Sequence, residues 1–295
     1  MKNVHRILQL RPKNFYSIPI YIISYNRKND LELLVNRLMN DGYKNINIID
    51  NASKNIELLD YLKDVRKQGV KVFYMEHNYG HRVFWESHLF DDVIHNQYYV
   101  LTDPDVIPID ECPANYVEVF FDILQKYPDK IKVGFSLKID DLPESYIYKY
   151  KIIRFESFYW EKILPYKFKI YDAPIDTTFA LYRPVDKELD INFYDGIRTG
   201  EKYIARHLGW YENNAIEEHY LSQDNISSTS LNKEAMEHFD IATIKRILEN
   251  ENLDTSFFNM SRIIFSLEYL KKYSIADILL GDVYLFLKKV KSYFK

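Results

Sequence analysis

The sequence predicts an α/β protein with a mainly parallel sheet flanked by helices. Short apolar runs, rich in β-branched and aromatic residues, alternate with segments whose apolar residues recur at helical spacing. The predicted strands of this alternation are 18–25, 45–50, 70–75 and 98–102. Helical crossovers of about ten residues are right-handed and join parallel strands. Ligands of such sheets bind at the carboxyl ends of the strands, so the loops at 25–29, 50–54, 77–82 and 103–105 are the candidate site.

The three helices between these strands are predicted from their apolar faces. Asn29 or Asp30 is the expected N-cap of the first helix, and Gly42 is its expected end. The second helix is predicted over 56–67 and the third over 85–96. The residues of the third helix expected to face inward are Leu89, Phe90, Val93 and Ile94.

The alternation weakens after residue 105. A helix is predicted over 115–126 and strands over 131–137 and 175–182, whereas the Tyr-rich stretch 146–171 favours no single element. Three helical segments are predicted near the C-terminus, at 234–248, 255–272 and 275–294. The polar run at 227–230 then predicts a boundary between an α/β domain over 1–230 and a C-terminal helical extension over 231–295.

Composition excludes several classes of protein. The 295 residues are 47% hydrophobic and 28% charged, which is typical of a globular protein. The net charge of −4 argues against a nucleic-acid partner. The single cysteine, Cys112, excludes an internal disulfide and a Cys-cluster zinc site. Residues 1–14 lack the apolar core of a signal peptide, and no run of 18 apolar residues occurs, so a cytoplasmic location is expected.

Two carboxylates follow the fourth predicted strand. Asp103 and Asp105 flank Pro104, which stiffens the segment between them. One or two carboxylates, completed by water and a diphosphate, are a common way of holding a divalent cation. A plain turn after a strand is the alternative interpretation. The position of this pair after the fourth strand of an α/β run favours the cation site.

Several segments, in this order, resemble the GT-A glycosyltransferases, particularly the family 2-like bacterial sugar transferases. They are IPIYIISYNRKNDLELLVNRL, IIDNASKN, HNYGHRVFW, LTDPDVIP, APIDTTFALYRP and ARHLGWYENN, and the resemblance covers roughly residues 17–224. The resemblance implies a GT-A (Rossmann-like) fold and transfer of a sugar from a nucleotide-diphosphate donor, with a UDP-sugar favoured, to a hydroxyl of a glycan or lipid-linked glycan. It also implies a role in bacterial surface polysaccharide synthesis.

The resemblance implies that the loops after the first three strands hold the nucleotide-sugar. The matching positions, with Asp103 beside them, are Ser24, Tyr25, Arg27, Asp50, Asn51, Asn78 and Gly80. Core packing of Tyr25 and an Asx turn at Asp50 and Asn51 are the alternatives. His81 and Arg82 either approach a phosphate or are solvated surface groups.

The resemblance also implies that Asp103 and Asp105 are ligands of Mn²⁺ or Mg²⁺, with His207 as a third ligand and His219 as its competitor. An inverting transferase needs a carboxylate that accepts the proton of the acceptor hydroxyl. Asp176 is the expected catalytic base and Asp172 the alternative. The sequence has a lone Asp where the family has a paired Glu-Asp, so a retaining mechanism stays open.

Three aromatic residues are the expected acceptor-binding group, because flat rings suit the C–H faces of sugars. They are Trp160, Trp210 and Tyr211, and core packing is the alternative for each. Two further classes of function stay open: a sugar-phosphate nucleotidyltransferase and a catalytically inactive binding module. The first of these needs a Gly-rich loop after the first strand, where this chain has SYNRKND.

The last predicted helix is amphipathic. Its apolar face carries Val283, Phe286, Leu287, Val290 and Phe294, and lysines lie mostly on the other side. Two hypotheses follow: reversible peripheral contact with an anionic membrane, or packing of the apolar face on the catalytic domain or on a second subunit of a homo-oligomer.

Overall fold

The computed structural model describes residues 11–146, 149–185 and 195–211. The predicted fold class is confirmed, because these residues form one large central sheet flanked by helices. The helices are α1 (Lys28–Asn40), α2 (Ile56–Lys67), α3 (Val83–Glu86), α4 (Asp91–Asn96), α5 (Tyr116–Lys126) and α6 (Lys149–Ser157). The strands are β1 (Ile20–Ser24), β2 (Ile46–Asp50), β3 (Lys71–Tyr74), β4 (Tyr99–Thr102), β5 (Val106–Pro108), β6 (Lys132–Leu137), β7 (Ile163–Leu164), β8 (Ile170–Asp172), β9 (Ala180–Tyr182) and β10 (Ile197–His207).

The first half of the sheet is parallel. Its strand order is β3-β2-β1-β4, with helical crossovers between strands that are consecutive in the chain. Ser24 pairs with Asp50, and Ile22 pairs with Thr102. The carboxyl ends of β1, β2 and β4 therefore meet at one edge, as the alternation of strands and helices predicts.

The second half of the sheet is mixed. Strand β9 lies between β4 and β6 and is antiparallel to both, so β4 and β6 run in the same direction. Strand β10 is parallel to β6 and antiparallel to β5 and β8. Its pairing with β6 is interrupted between Thr199 and Ile204, where the residues of β10 bulge out of the ladder and the register shifts.

Aromatic side chains form much of the core on both faces of the sheet. Tyr21, Phe84, Phe90 and Tyr99 lie in one buried cluster, and Tyr182 stacks on Tyr99 with ring centroids 5.0 Å apart. The buried rings of α5 pack with those of β6 and the segment before β9; these residues are Tyr116, Phe120, Phe135 and Phe179. This packing explains part of the high aromatic content of the chain.

Three local predictions were wrong. The first helix begins at Lys28, so neither Asn29 nor Asp30 caps it. The segment 85–96 holds the end of α3 and then α4, separated by a turn in which His88 has φ 58°, and Leu89 is 63% exposed instead of inward-facing. The predicted strand 175–182 is reduced to β9, because the backbone at Thr177 bonds to the loop after β4.

The predicted domain boundary at residue 230 and the three predicted C-terminal helices lie outside the described residues. Within the described part of the chain, no helix combines the length and the apolar character that crossing a membrane requires.

A methyl group at position 134 would disrupt the sheet. A Cβ atom on Gly134 would lie 2.4 Å from the Phe179 carbonyl oxygen and 2.7 Å from the Ala180 Cβ atom. We expect Gly134→Ala to lower the free energy of unfolding by about 1–3 kcal/mol, measured by urea denaturation.

Ser136→Ala on the same strand is the control for Gly134→Ala. The Ser136 hydroxyl is buried with no hydrogen-bond partner, so its removal should leave the stability within about 0.5 kcal/mol of wild type or raise it. Equal stability of the two variants would contradict the steric argument.

Candidate active site

Asp103 and Asp105 lie at the carboxyl edge of the sheet. Asp103 directly follows β4, and Asp105 precedes β5. Both ends of the segment are fixed by backbone hydrogen bonds: the Asp103 N–H donates to the Thr177 carbonyl at 3.1 Å, and the Leu208 N–H donates to the Asp105 carbonyl at 2.7 Å. The two carboxylates are therefore held where three distant parts of the chain meet.

Arg27 brings a positive charge to this pair. It lies in the loop after β1, and its Nη1 atom donates to Asp105 Oδ2 at 2.5 Å. Its Nε atom lies 3.0 Å from Asp30 Oδ2 in the first turn of α1. The Arg27, Asp30 and Asp105 side chains are only 6%, 6% and 8% exposed, so three charges are buried together.

The segment before β9 faces the same pair. The Thr177 hydroxyl donates to Asp103 Oδ2 at 2.5 Å. Its neighbour Asp176 is exposed, and the Asp176 carbonyl accepts weak hydrogen bonds from buried Lys132, at 3.5 Å, and from the Tyr182 hydroxyl, at 3.4 Å. The structure thus brings the predicted base to the predicted cation-binding carboxylates.

The two carboxylates have different proton affinities. Burial raises the pKa of Asp103 well above its ordinary value, and the charges of Asp105 and Asp176 add to the rise. Burial also acts to raise the pKa of Asp105, but His207 and Arg27 outweigh it, and that pKa is lowered. Asp105 therefore loses its proton at a lower pH than Asp103, and a cation bound nearby would favour ionisation of both.

His207 ends β10 beside Asp105. Its Nε2 atom lies 3.6 Å from Asp105 Oδ2, and its ring stacks on Trp210 with centroids 4.7 Å apart. The Nδ1 atom is buried with no hydrogen-bond partner. The His207 side chain therefore lies next to Asp105, the residue with which the family resemblance predicts that it shares a metal ion. It lies on the side of Asp105 that binds Arg27.

The predicted nucleotide-binding residues lie in loops that hydrogen bonds tie together. The loop after β1 is joined to the loop after β2 through the Asn26 side-chain oxygen, which accepts from the backbone N–H groups of Lys54 and Asn55 at 2.8 and 3.0 Å. The loop after β2 is joined to the loop after β3 through Asn51, whose Nδ2 atom donates to Asn78 Oδ1 at 2.7 Å.

The same Asn51 amide also donates to the Gly80 carbonyl at 2.9 Å, and its oxygen accepts from the Tyr79 N–H. The Asn51 side chain thus holds the loops in place. Gly80 has φ 74°, a left-handed conformation that glycine adopts without strain. Beside these loops, the Ser24 hydroxyl is buried with no hydrogen-bond partner, and burial raises the pKa of Asp50.

The predicted acceptor aromatics occupy three different environments. Trp210 is buried behind His207. The Tyr211 hydroxyl donates to Asp141 at 2.5 Å. Trp160 packs on Tyr171, with centroids 5.3 Å apart, and its indole nitrogen is buried with no hydrogen-bond partner. The three rings have different neighbours, and their role in acceptor binding remains a prediction.

Sequence reasoning missed a buried ion pair next to the site. Arg198 on β10 contacts Glu156 on α6 at 2.7 Å, donates to the Pro174 carbonyl at 2.8 Å and covers the Tyr159 ring. Burial raises the pKa of Glu156, and Arg198 opposes the rise. The pair fixes the chain just before Asp176, but its members are 42 residues apart and no local pattern connects them.

The donor set suits a divalent cation held by the two carboxylates. Asp105 Oδ1 is buried with no hydrogen-bond partner, and Thr177 engages only one oxygen of Asp103. Carboxylate oxygens are the ligands that Mg²⁺ and Mn²⁺ prefer. No group of three His, Cys, Asp or Glu side chains within the described residues is arranged around a common metal position, so a third protein ligand at His207 remains a prediction.

Comparisons with known proteins find distant likenesses. No protein-family model matches the chain, and no curated protein matches it. S. aureus TarS 1–349 is similar over 81% of this chain and 67% of that one, at 12% identity and a TM-score of 0.39. The same protein with UDP-GlcNAc is similar over 44% of this chain and 38% of that one, at 16% identity and a TM-score of 0.31.

A putative glucose-1-phosphate thymidylyltransferase from Bacillus anthracis is similar over 72% of this chain and 85% of that one, at 13% identity and a TM-score of 0.35. Likenesses of this size assign no activity to the chain.

Asp172, the alternative base, is engaged in a different cluster. It contacts Lys130 at 2.6 Å and also contacts Lys162. It pairs with Ile197 at the start of β10, whereas His207 ends that strand beside Asp105. Asp172 is therefore removed from the carboxylate pair, which favours Asp176.

Asp172 should contribute to stability in a pH-dependent way. Partial burial acts to raise its pKa, but hydrogen bonds from Lys130 and Lys162 outweigh burial and lower it. The stabilisation is therefore present above the ordinary aspartate pKa and is lost as the pH falls through the lowered value. We expect Asp172→Asn to lower the free energy of unfolding at pH 7 by about 1 kcal/mol, and the difference from wild type to shrink below pH ~4.

Urea denaturation at several pH values would measure this difference. Asp60→Asn, which breaks the exposed Asp60–Lys63 pair on α2, is the control and should show no measurable change. A deficit of Asp172→Asn that is the same at pH 3 and pH 7 would contradict the assignment.

Proposed function

We propose that this chain is a metal-dependent glycosyltransferase that moves a sugar from a nucleotide-diphosphate donor to a hydroxyl of a glycan acceptor. The observation that carries the proposal is the meeting of Asp103, Asp105 and Asp176 at the carboxyl edge of the sheet, with Arg27 beside them. A UDP-sugar donor, an inverting reaction and a role in bacterial surface polysaccharide synthesis belong to the same proposal.

The donor would lie across the ends of β1, β2 and β4. Asp103 and Asp105 would hold Mn²⁺ or Mg²⁺, which when bound neutralises the negative charge that builds on the leaving diphosphate. The joined loops around Asn26, Asn51 and Asn78 would hold the nucleoside, and the unpartnered Ser24 hydroxyl lies within this group. Because these loops are already hydrogen-bonded to one another, little ordering is needed when the donor binds.

Asp176 would act as the base on the acceptor side. Its carboxylate is exposed, so an acceptor hydroxyl can reach it, while its backbone is held from below by Lys132 and Tyr182. It would accept the hydroxyl proton as the oxygen attacks the anomeric carbon of the sugar and the bond to the diphosphate breaks. The acceptor itself, a glycan or a lipid-linked glycan, is part of the proposal. The proposal includes binding of this acceptor by Trp160, Trp210 and Tyr211. It also includes a cytoplasmic location and a membrane contact through the C-terminal helix.

A screen of nucleotide-sugars for hydrolysis in the presence of Mn²⁺ would test the proposal. Release of a nucleoside diphosphate by wild type, and its loss in Asp105→Asn, would support it. In a parallel assay that supplies a nucleoside triphosphate and a sugar phosphate, release of pyrophosphate would instead identify a nucleotidyltransferase. Binding of a glycan without turnover of any donor would identify an inactive binding module.

The two candidate bases can be separated by a matched pair of variants. Asp176→Asn keeps the size and the hydrogen bonding of the side chain but cannot accept a proton. We expect it to bind donor like wild type and to transfer sugar about 10²-fold or more slowly. Asp172→Asn, measured with the same donor and acceptor, should transfer at close to the wild-type rate. Equal losses in the two variants would remove Asp176 from the role of base.

A further inference from the structure

Arg27 occupies a position that the proposed catalytic step leaves unexplained. Its guanidinium group joins Asp30 and Asp105, and all three side chains are almost completely buried. Removing one partner of a buried ion pair is strongly destabilising, so such a group is expected to stay in place unless another charge replaces it. Asp30, which follows Arg27 by three residues, fixes the guanidinium from the side of α1.

The contacts of Arg27 limit which oxygens of Asp105 remain for a cation. Arg27 engages Asp105 Oδ2, and the Nε2 atom of His207 lies 3.6 Å from that same oxygen. Thr177 engages Asp103 Oδ2. The oxygen on the other side of Asp105, Oδ1, is buried and has no hydrogen-bond partner. The hydrogen bonds from Arg27 and Thr177 therefore occupy the Oδ2 atom of each carboxylate.

We propose that Arg27 is a positioning residue that restricts Asp105 to a single metal-binding oxygen, so that a divalent cation binds tightly only together with a diphosphate. This inference rests on the proposed function, because it takes the carboxylate pair to be a cation site. Mg²⁺ and Mn²⁺ accept about six ligands, of which the two carboxylates would supply two oxygens. Phosphate oxygens and water would supply the others.

Electrostatics acts in the same direction. The positive charge of Arg27, which contacts Asp105, opposes the approach of a second cation to that carboxylate. A diphosphate brings negative charge that offsets this repulsion. Arg27 therefore disfavours the cation alone and favours the cation with its diphosphate.

Equilibrium dialysis of Mn²⁺ against the full-length protein would test the proposal. The probes are Mn²⁺ alone, Mn²⁺ with UDP and Mn²⁺ with inorganic pyrophosphate, each corrected with a protein-free sample. For wild type we expect Mn²⁺ affinity at least tenfold higher with a diphosphate than without. The double variant Arg27→Gln/Asp30→Asn removes the guanidinium without leaving Asp30 charged and unpaired, and we expect it to bind Mn²⁺ alone at least tenfold more tightly than wild type.

Arg27→Lys is the second variant, in case the double variant does not fold, which thermal melting would reveal. A lysine keeps the charge but cannot hold both carboxylates in the fork geometry of arginine, so it should weaken the dependence on diphosphate to a smaller degree. Equal Mn²⁺ affinity of wild type with and without diphosphate, or unchanged Mn²⁺ affinity in the folded variants, would overturn the proposal. Coupling to pyrophosphate without coupling to UDP would support the role of Arg27 and contradict the nucleotide donor.

Discussion

Strand β9 can lie between β4 and β6 because residue 134 carries no side chain. Any Cβ atom there would collide with the Phe179 carbonyl and with Ala180, at distances that no packing adjustment of a side chain could relieve. The position of β9 in turn brings the preceding segment against the end of β4, where the Thr177 hydroxyl reaches Asp103. The candidate site therefore depends on a backbone contact made in the interior of the sheet.

Charge is concentrated around this site at a cost to stability. Arg27, Asp30 and Asp105 are buried together, and so are Glu156 and Arg198. Apolar residues of similar volume would often give an equally stable or more stable fold. Such violations of core-packing rules tend to cluster at functional sites. Buried Lys132, whose pKa burial lowers to about 7, belongs to the same pattern because it holds the Asp176 backbone.

The parts of the structure that the sequence predicts well are those governed by local periodicity. The strands from β1 to β4 and the helices α1 and α2 follow the predicted order, and the strand order brings Asp50 and Asp103 to one edge. Local periodicity gave a wrong prediction at the turn before α4. Leu89 fits the apolar spacing of a helix, but its side chain is exposed. Periodicity also could not find contacts between distant residues: Arg27 reaches Asp105 across 78 positions, and Thr177 reaches Asp103 across 74. The first contact follows from the direct pairing of β1 with β4, and the second depends on how β9 enters the sheet. Local periodicity predicts neither contact.

The hydrogen bonds that Asn26 and Asn51 make between the loops have a kinetic consequence. Loops that are joined before a ligand arrives have the same conformation each time a ligand meets them. Association with these loops is governed by diffusion and by the orientation of the encounter, without a slow step in which a loop must first close. The proposed nucleotide-diphosphate donors, if they differed only in base, would then bind at similar association rates, and the loops would discriminate among them chiefly through the dissociation rate.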